Sequence, residues 1–403
     1  MALTKTNLPS HFCVIPFLHL EIQPTGDVSV CCFSNQPTFL GNLHKQDLME
    51  IWNSEGAQNI RHLFLNGQGT KNSHCQGCFK QEDLGMQSRR MRENENWQHH
   101  LESSLKSNGE ILTPQSIAIR FSNLCNLACR TCKPATSTAW FQDAKFLNPK
   151  GKYFKLSSTP EGKSLTDQVK PLIKTLSHIY FSGGEPLLEQ EHYQLLKLVA
   201  DINPDINVTY DTNLTVLGLG DKSVFEHWPR LNRLFVSASC DGHGAKGEFI
   251  RRGFSWKTFL DNWKEVKLRA PNAHQHMNFT LGIYNSFSVL DFLDEVQKLG
   301  LFAQIENLDI SLVEEPAWQS LPALPPEMKI EVEKRYLNYL DKNPHPHLIR
   351  KLKDAIAFMK GSDKSDLLPR FRSFTQKLDI LRGEDFPTLF PEEARFLSIS
   401  ALD

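Results

Sequence analysis

Cys125, Cys129 and Cys132 are spaced C-x3-C-x2-C within one short run of chain. Thiolates this close can face a single metal centre from one loop, and the thiolate is the form that binds metal. A four-iron cluster takes a thiolate on each iron, so three local ligands leave one iron open to another molecule. The alternative is a zinc loop completed by a distant histidine or cysteine. Zinc sites more often pair one C-x2-C with a second, which favours the iron–sulfur reading.

Downstream, an apolar run from His178 to Phe181 breaks into Ser182, Gly183, Gly184, Glu185 and Pro186. Two glycines let the backbone approach a ligand closely and leave amides and carbonyls unshielded. A Gly-Gly turn by itself is most often only a strand end. Together the two motifs resemble the radical S-adenosylmethionine (SAM) superfamily, in which C-x3-C-x2-C is followed by a GGEP-like motif. The resemblance covers roughly residues 115 to 313. One position departs from it: the residue before the third cysteine is usually aromatic, and here it is Thr131.

The resemblance implies that Cys125, Cys129 and Cys132 hold a 4Fe–4S cluster whose open iron chelates the amino and carboxylate groups of SAM. It implies an external one-electron reductant, such as flavodoxin or ferredoxin, and a 5′-deoxyadenosyl radical that takes hydrogen from a substrate. Whether SAM is consumed or regenerated is left open. Gly183, Gly184 and Glu185 become SAM-binding candidates, with Glu185 accepting from the ligand's ammonium group. Asn213, Ser239 and Asp241 are candidates for the ribose hydroxyls. Arg251 is a candidate for the methionyl carboxylate, a geometry that guanidinium suits. The ordinary alternatives are capped turns for Asn213 and Ser239 and a surface salt bridge for Arg251. Gly282 and Ile283 either flank the adenine or simply pack. Cys240 and Asp241 are the catalytic candidates, Cys240 as a thiol able to give or take a hydrogen atom. The alternative for Cys240 is a small buried hydrophobe.

Four further cysteines form a second pattern. Cys13 opens a run that reads as a strand, a turn at Pro24, Thr25, Gly26 and Asp27, and a returning strand to Cys31 and Cys32. That is a hairpin signal, and a hairpin brings Cys13 and Cys31 to the same end. Cys75 and Cys78 form a knuckle that can supply two more thiolates, for a zinc ribbon or for a second iron–sulfur cluster. Cys13-x12-Gly26-x4-Cys31 followed by C-x2-C resembles the SPASM/twitch modules that carry auxiliary clusters in radical SAM enzymes. Gly41-Asn42-Leu43 and Ile51-Trp52-Asn53-Ser54 strengthen that likeness. Such modules usually follow the barrel, whereas this one precedes it, and its missing later cysteines favour the shorter twitch form. Cys13, Cys31, Cys75 and Cys78 are the implied ligands, with Cys32 an alternative to Cys31.

The elements must position these residues. From about residue 115, strand-like runs alternate with amphipathic helical ones. The strands fall at Ser116–Phe121, His178–Ser182, Ile206–Asp211, Arg233–Ser239, His276–Tyr284 and Leu308–Val313. Such alternation predicts an α/β fold with a parallel sheet and right-handed crossovers. Six strands match the partial (β/α)6 TIM-like barrel of the superfamily, with chemistry collected at the strands' carboxyl ends. The expected domains are 1–83, a cysteine-rich twitch-like β-hairpin domain; 84–114, a polar helical linker with a solvated face; 115–315, the partial barrel; and 316–403, a helical C-terminal extension. Helices in that extension fall near Glu327–Leu340, His347–Lys360 and Phe371–Arg382.

Bulk properties narrow the function classes. A chain of 403 residues with net charge −1 has no electrostatic footprint for nucleic acid or an anionic membrane. No run approaches the ~18 apolar residues of a membrane span, and the N-terminus lacks the apolar core of a signal peptide. A cytoplasmic chain is expected, so its nine cysteines read as metal ligands rather than disulfides. The substrate expected from the SPASM/twitch resemblance is a peptide or protein side chain, oxidised or cross-linked. The alternatives are radical oxidation or rearrangement of a small metabolite, a sugar or cofactor precursor, and, from another class, a non-catalytic zinc-binding scaffold.

Overall fold

The computed structural model describes residues 8–9, 11–32, 39–69, 75–83, 85 and 87–400. The chain forms two compact units, the first comprising residues 1–123, 155–210 and 218–234, and the second 124–154, 211–217 and 235–403. The main strands are β1 (His19–Ile22), β2 (Asp27–Ser29), β3 (Gly41–Asn42), β4 (Ser116–Ile119) and β5 (His178–Phe181). They continue with β6 (Asn207–Thr212), β7 (Arg233–Ser239), β8 (Ala273–Leu281) and β9 (Leu308–Leu312). All six strands expected after residue 115 are present. The strand expected to reach Tyr284 stops at Leu281, because the Gly282 amide donates to Asn285 Oδ1 (2.8 Å) and the chain turns.

In the first unit the strand order is β6-β5-β4-β1-β2-β3. β4, β5 and β6 pair in parallel, as alternation with helices requires. β1 and β2 form the expected antiparallel hairpin. Its turn depends on Gly26, whose φ is +80° and whose Cβ, if present, would sit 2.4 Å from the His44 ring. The hairpin is more closely tied to the sheet than its reading as a preceding domain implies: β1 also pairs in parallel with β4, from His19↔Ser116 to Ile22↔Ile119. All four residues of β1 are buried, so both of its edges need hydrogen-bond partners.

The two faces of this sheet differ in kind. Leu20, Ile22, Ile117, Ile119, Ile179, Phe181, Val208 and Tyr210 lie on one face, and all are fully buried. The opposite face carries His19, Glu21, Ser116, His178 and Thr209, in register across β1, β4, β5 and β6. A parallel sheet covered by apolar packing on both sides reads apolar throughout; on this buried polar face the side chains hydrogen-bond one another instead.

Around the hairpin pack the helices Leu48–Trp52 and Glu55–Leu65, started by a capping box at Asp47 and Glu50 and by the Ser54 hydroxyl. Arg61 is fully buried here. It donates to the carbonyls of Pro16, Gly109 and Trp52 (3.0, 3.3 and 2.9 Å) and lies 4.1 Å over the Trp52 ring. Burial draws its pKa down to about 10.

In the second unit β7, β8 and β9 are neighbours in that order, and β8 and β9 pair in parallel. The extension forms the helices Pro326–Lys342, Pro346–Gly361 and Leu368–Arg382, close to the expected ranges. Among the described residues, no helix is long and apolar enough to cross a membrane.

Candidate metal centres and cofactor site

The three-cysteine loop lies in the second unit. Ala128 and Cys129 pair antiparallel with Arg251 and Arg252, placing Arg251 directly opposite Cys129. Further along, the Arg130 amide donates to the Ile250 carbonyl (2.8 Å) and the Cys132 amide to that of Cys129 (2.9 Å). The Trp140 indole donates to the Cys129 carbonyl (2.8 Å), and Ser137 Oγ to that of Leu127 (2.7 Å). The loop's backbone groups are therefore fixed by partners within the loop and by the strand at Arg251 and Arg252. Cys129 is buried, and Cys125 and Cys132 are partly exposed.

The thiols interact with one another. Cys129 is drawn down to about 7, first by a hydrogen bond with Cys132 and then by the Arg251 and Arg382 charges, against the opposing effect of burial. The same hydrogen bond and burial push Cys132 well up. Among the described residues, no group of three or more histidine, cysteine, aspartate or glutamate side chains is arranged to hold a single metal ion. A four-iron cubane takes each thiolate on a different iron, and three thiols spread over one loop beside a guanidinium fit that group.

Of the SAM candidates in this unit, Arg251 pairs with Asp241 (2.8 Å). Its Nε is buried without a hydrogen-bond partner among the described residues, which leaves one charged donor for a ligand. Asp241 is itself fixed, Oδ1 accepting from the Thr280 amide (2.9 Å). Asn213 sits beside the cysteine loop, where its amide nitrogen donates to Asn126 Oδ1 (2.9 Å) and lies 3.9 Å from Cys125 Sγ. Ser239 ends β7 and is partly buried. Cys240 is fully buried and donates to the Gly242 carbonyl (3.2 Å), and burial pushes its thiol up to about 12. It is held as a neutral thiol by its own turn.

Gly253 abuts the loop from the Arg251 side. Its φ is +92°, and a Cβ would meet the Asn126 carbonyl oxygen at 2.9 Å and Leu127 Cδ2 at 3.1 Å. Gly253→Ala is expected to cost about 1–3 kcal/mol through backbone strain and loop displacement. A lower melting temperature together with reduced iron retention is the expected result; an unchanged melt would refute it.

The Gly183–Glu185 turn belongs to the first unit and is described there by itself. Gly183 has φ +121°, with the space for its Cβ only 3.1 Å from Arg120 Cβ. Glu185 is fully buried and caps the following turn, Oε1 accepting from the Leu187 amide (3.1 Å). Sequence alone did not disclose this capping role.

In the same unit Cys13, Cys31, Cys75 and Cys78 come together. Burial pushes the Cys13 thiol well up, and the other three thiols lie close enough to add to the effect. Cys13, Cys31 and Cys75 share an apolar cluster with Phe12, Val14 and Phe17. Cys32 turns away, its sulfur accepting from Arg89 Nη1 at 2.5 Å. These four neighbouring thiols are the candidate ligand set, with Cys32 directed elsewhere.

The polar helix Arg89–Asn96, expected to be a solvated face, has a structural task here. Arg90 Nη1 donates to the Phe12 carbonyl (2.8 Å) while Nη2 pairs with Glu82 (2.6 Å). Asn94 donates to the same carbonyl (2.9 Å) and accepts from the Val14 amide (2.9 Å). The backbone on either side of Cys13 leaves the ladder here and needs side-chain partners.

The polar sheet face adds residues that sequence reasoning missed. Ser116 Oγ bridges His19 Nδ1 (2.8 Å) and His178 Nδ1 (3.0 Å), and His178 Nε2 contacts Thr209 Oγ1 (3.0 Å). Glu21, fully buried, pairs with Arg120 (2.8 Å). Period-2 alternation of polar residues on β1, β4 and β5 was the available signal.

Residues 13–79 match the family described as SPASM, iron–sulfur cluster-binding domain. The likeness is confined to this N-terminal segment, which carries Cys13, Cys31, Cys75 and Cys78. No curated protein matches the chain. Among solved structures it is similar to native anSMEcpe with bound AdoMet, at 19% identity over 57% of this chain and 60% of that one, TM-score 0.41. It is also similar to Streptococcus suis SuiB bound to S-adenosylmethionine, at 15% identity over 73% of this chain and 62% of that one, TM-score 0.38. The same SuiB bound to precursor peptide SuiA gives 14% identity over 70% and 64%, TM-score 0.39. The chain therefore spans about three fifths of the length of these solved chains.

Proposed function

We propose that this chain is a radical SAM enzyme with an N-terminal auxiliary iron–sulfur centre, acting on a peptide or protein side chain. The observation that carries the reading is the cysteine loop: three thiols on one backbone-braced turn, with Arg251 opposite Cys129 and its Nε unpaired among the described residues. Cys125, Cys129 and Cys132 hold the cluster, and Arg251 and Asn213 lie beside it for SAM. A cluster of this kind supplies one electron for the reductive cleavage of SAM to methionine and a 5′-deoxyadenosyl radical, which takes hydrogen from an unactivated carbon.

The chain's own residues bind, orient and exclude water. Arg251 is held by Asp241 so that its remaining donor is directed rather than free to rotate. Gly183 and Gly184, having no side chains, leave their amides and carbonyls open to a ligand. Cys13, Cys31, Cys75 and Cys78 hold the auxiliary centre. With four protein thiolates such a centre would have no iron free for substrate, and it would supply one-electron transfer or stability to the fold. The polar face around His19, Glu21, Arg120 and His178 supplies hydrogen-bonding partners for a polar substrate; a buried ionic network there is poorly justified as a stability device. The peptide class is what the SPASM/twitch resemblance implies for the substrate, and residues 13–79 match an iron–sulfur cluster-binding family.

The test is anaerobic reconstitution with iron and sulfide, followed by SAM and dithionite. Methionine and 5′-deoxyadenosine in equal amounts are expected even without substrate. An iron-loaded chain that leaves SAM intact refutes the reading.

A further inference from the structure

The cysteine loop is gripped by residues some two hundred and fifty positions further along the chain. Arg130, between Cys129 and Cys132, is fully buried. Its Nη2 pairs with Asp379 and with Glu384, both at 2.5 Å. Its guanidinium lies 3.7 Å over the Phe249 ring, and Gln319 donates to its carbonyl (2.9 Å). A second guanidinium closes on the other end of the loop. Arg382 Nη2 donates to the Ala128 carbonyl (2.8 Å), pairs with Asp143 (2.5 Å), and lies 5.1 Å over the Trp140 ring.

Both contacts come from one short segment of the second unit. Leu378 and Phe374 pack with Ala128, Trp140 and Cys132 in a single apolar cluster. The helix then ends at Gly383, whose left-handed φ of +63° turns the chain so that Glu384 returns to Arg130. Asp379 is braced in turn by the Phe386 amide (3.0 Å).

The charges balance, with Arg130, Arg382, Arg251 and Arg252 set against Asp379, Glu384, Asp143 and Asp241. The pairs neutralise one another's charge, and their hydrogen bonds to the loop fix where its backbone lies. Buried ion pairs gain little stability over apolar packing, and specifying one conformation is their best-attested use.

We propose that Leu378–Glu384 is a positioning clamp for the cysteine loop. It fixes Cys129 and Cys132 through Arg130 and Arg382, and so controls the accessibility of the thiols and the redox properties of the centre they hold. The redox part rests on the function proposed above; the positioning part does not.

The experiment compares Arg382→Gln, Arg382→Lys, Asp379→Asn and Glu384→Gln with wild type. In the iron-free chain, the rates at which iodoacetamide alkylates Cys125, Cys129 and Cys132 are followed by mass spectrometry, with Cys240 as the internal reference. In the reconstituted chain, the midpoint potential and electron paramagnetic resonance spectrum of the reduced centre are recorded.

Arg382→Gln is expected to accelerate alkylation of the three loop thiols about tenfold or more, the size set by losing charge-assisted hydrogen bonds that oppose local opening. Its midpoint and spectrum should shift as well. Arg382→Lys should recover most of both, since it restores the charge toward Asp143. Glu384 is the most exposed charged member of the clamp, and Glu384→Gln keeps Asp379 on Arg130, so this variant is expected to stay folded where Asp379→Asn does not.

Folded Arg382→Gln and Glu384→Gln chains with loop alkylation within about twofold of wild type and an unshifted spectrum would overturn the clamp. Wild-type chain that takes up no iron on this loop would instead sink the proposed function, while the alkylation rates still decide the clamp.

Discussion

Cys129→Ser is expected to lower the iron content of reconstituted chain from about eight to about four atoms, with matching loss of sulfide, taking four per cubane. It should also abolish 5′-deoxyadenosine formation. Cys129 is the buried member of its loop, and its thiol is both hydrogen-bonded to Cys132 and opposed by Arg251. No other residue can replace it in that strand register. Cys75→Ser should also remove about four irons yet leave cleavage of SAM in place, because its set is the one proposed for the auxiliary centre. The two variants thus separate the centres by activity while matching in metal loss. Iron measured by colorimetry and product by chromatography decide it. Cleavage surviving in Cys129→Ser, or zinc in place of iron, would overturn the assignment of the loop.

Stability should fall steeply on acidification. Burial draws His192 from its ordinary value of 6.5 down to about 3, and burial with neighbouring positive charge does the same to His178. His192 is fully buried, with Nε2 on the Tyr210 hydroxyl (2.8 Å) and its ring edge-on to Phe181 and Tyr193. In the unfolded chain both rings take up a proton as pH falls through about 6.5, whereas the folded chain resists until about 3. The unfolded state therefore binds more protons across that window, so the stability present above pH 6.5 is lost as pH drops toward 3. Well below 6.5 each histidine contributes a slope of about 1.4 kcal/mol per pH unit, so moving from about pH 6.5 to about pH 5 costs about 3 kcal/mol for the pair. Urea titrations at those two values measure it. His192→Leu should halve the slope, and a midpoint independent of pH would refute the prediction.

Much of this architecture was legible from the residues alone. Spacing within one loop needs no tertiary information, so the three-cysteine set was readable directly. The hairpin was readable too, because Pro24, Thr25, Gly26 and Asp27 separate two apolar runs. The six strands from Ser116 onward followed from apolar runs broken by glycine and polar turns, and their ends lie within about three residues of the expected bounds. The choice between Cys31 and Cys32 was not legible, since neighbours in sequence differ only in direction. In the fold Cys31 joins the other three thiols and Cys32 meets Arg89. The helix at Arg89–Asn96 read as a solvated run because composition reports polarity and not partners.

The sequence by itself determined the ligand types, their local spacing and the periodicity of the elements, because these are properties of adjacent residues. Only the tertiary structure decided what holds those ligands. Arg251 reaches Cys129 through a two-residue strand pair, Arg130 meets Asp379 and Glu384, and β1 joins β4. Each is a contact between segments far apart in the chain, chosen by burial and by the need to pair every buried charge and backbone group. Neither burial nor pairing is encoded in any one window of residues.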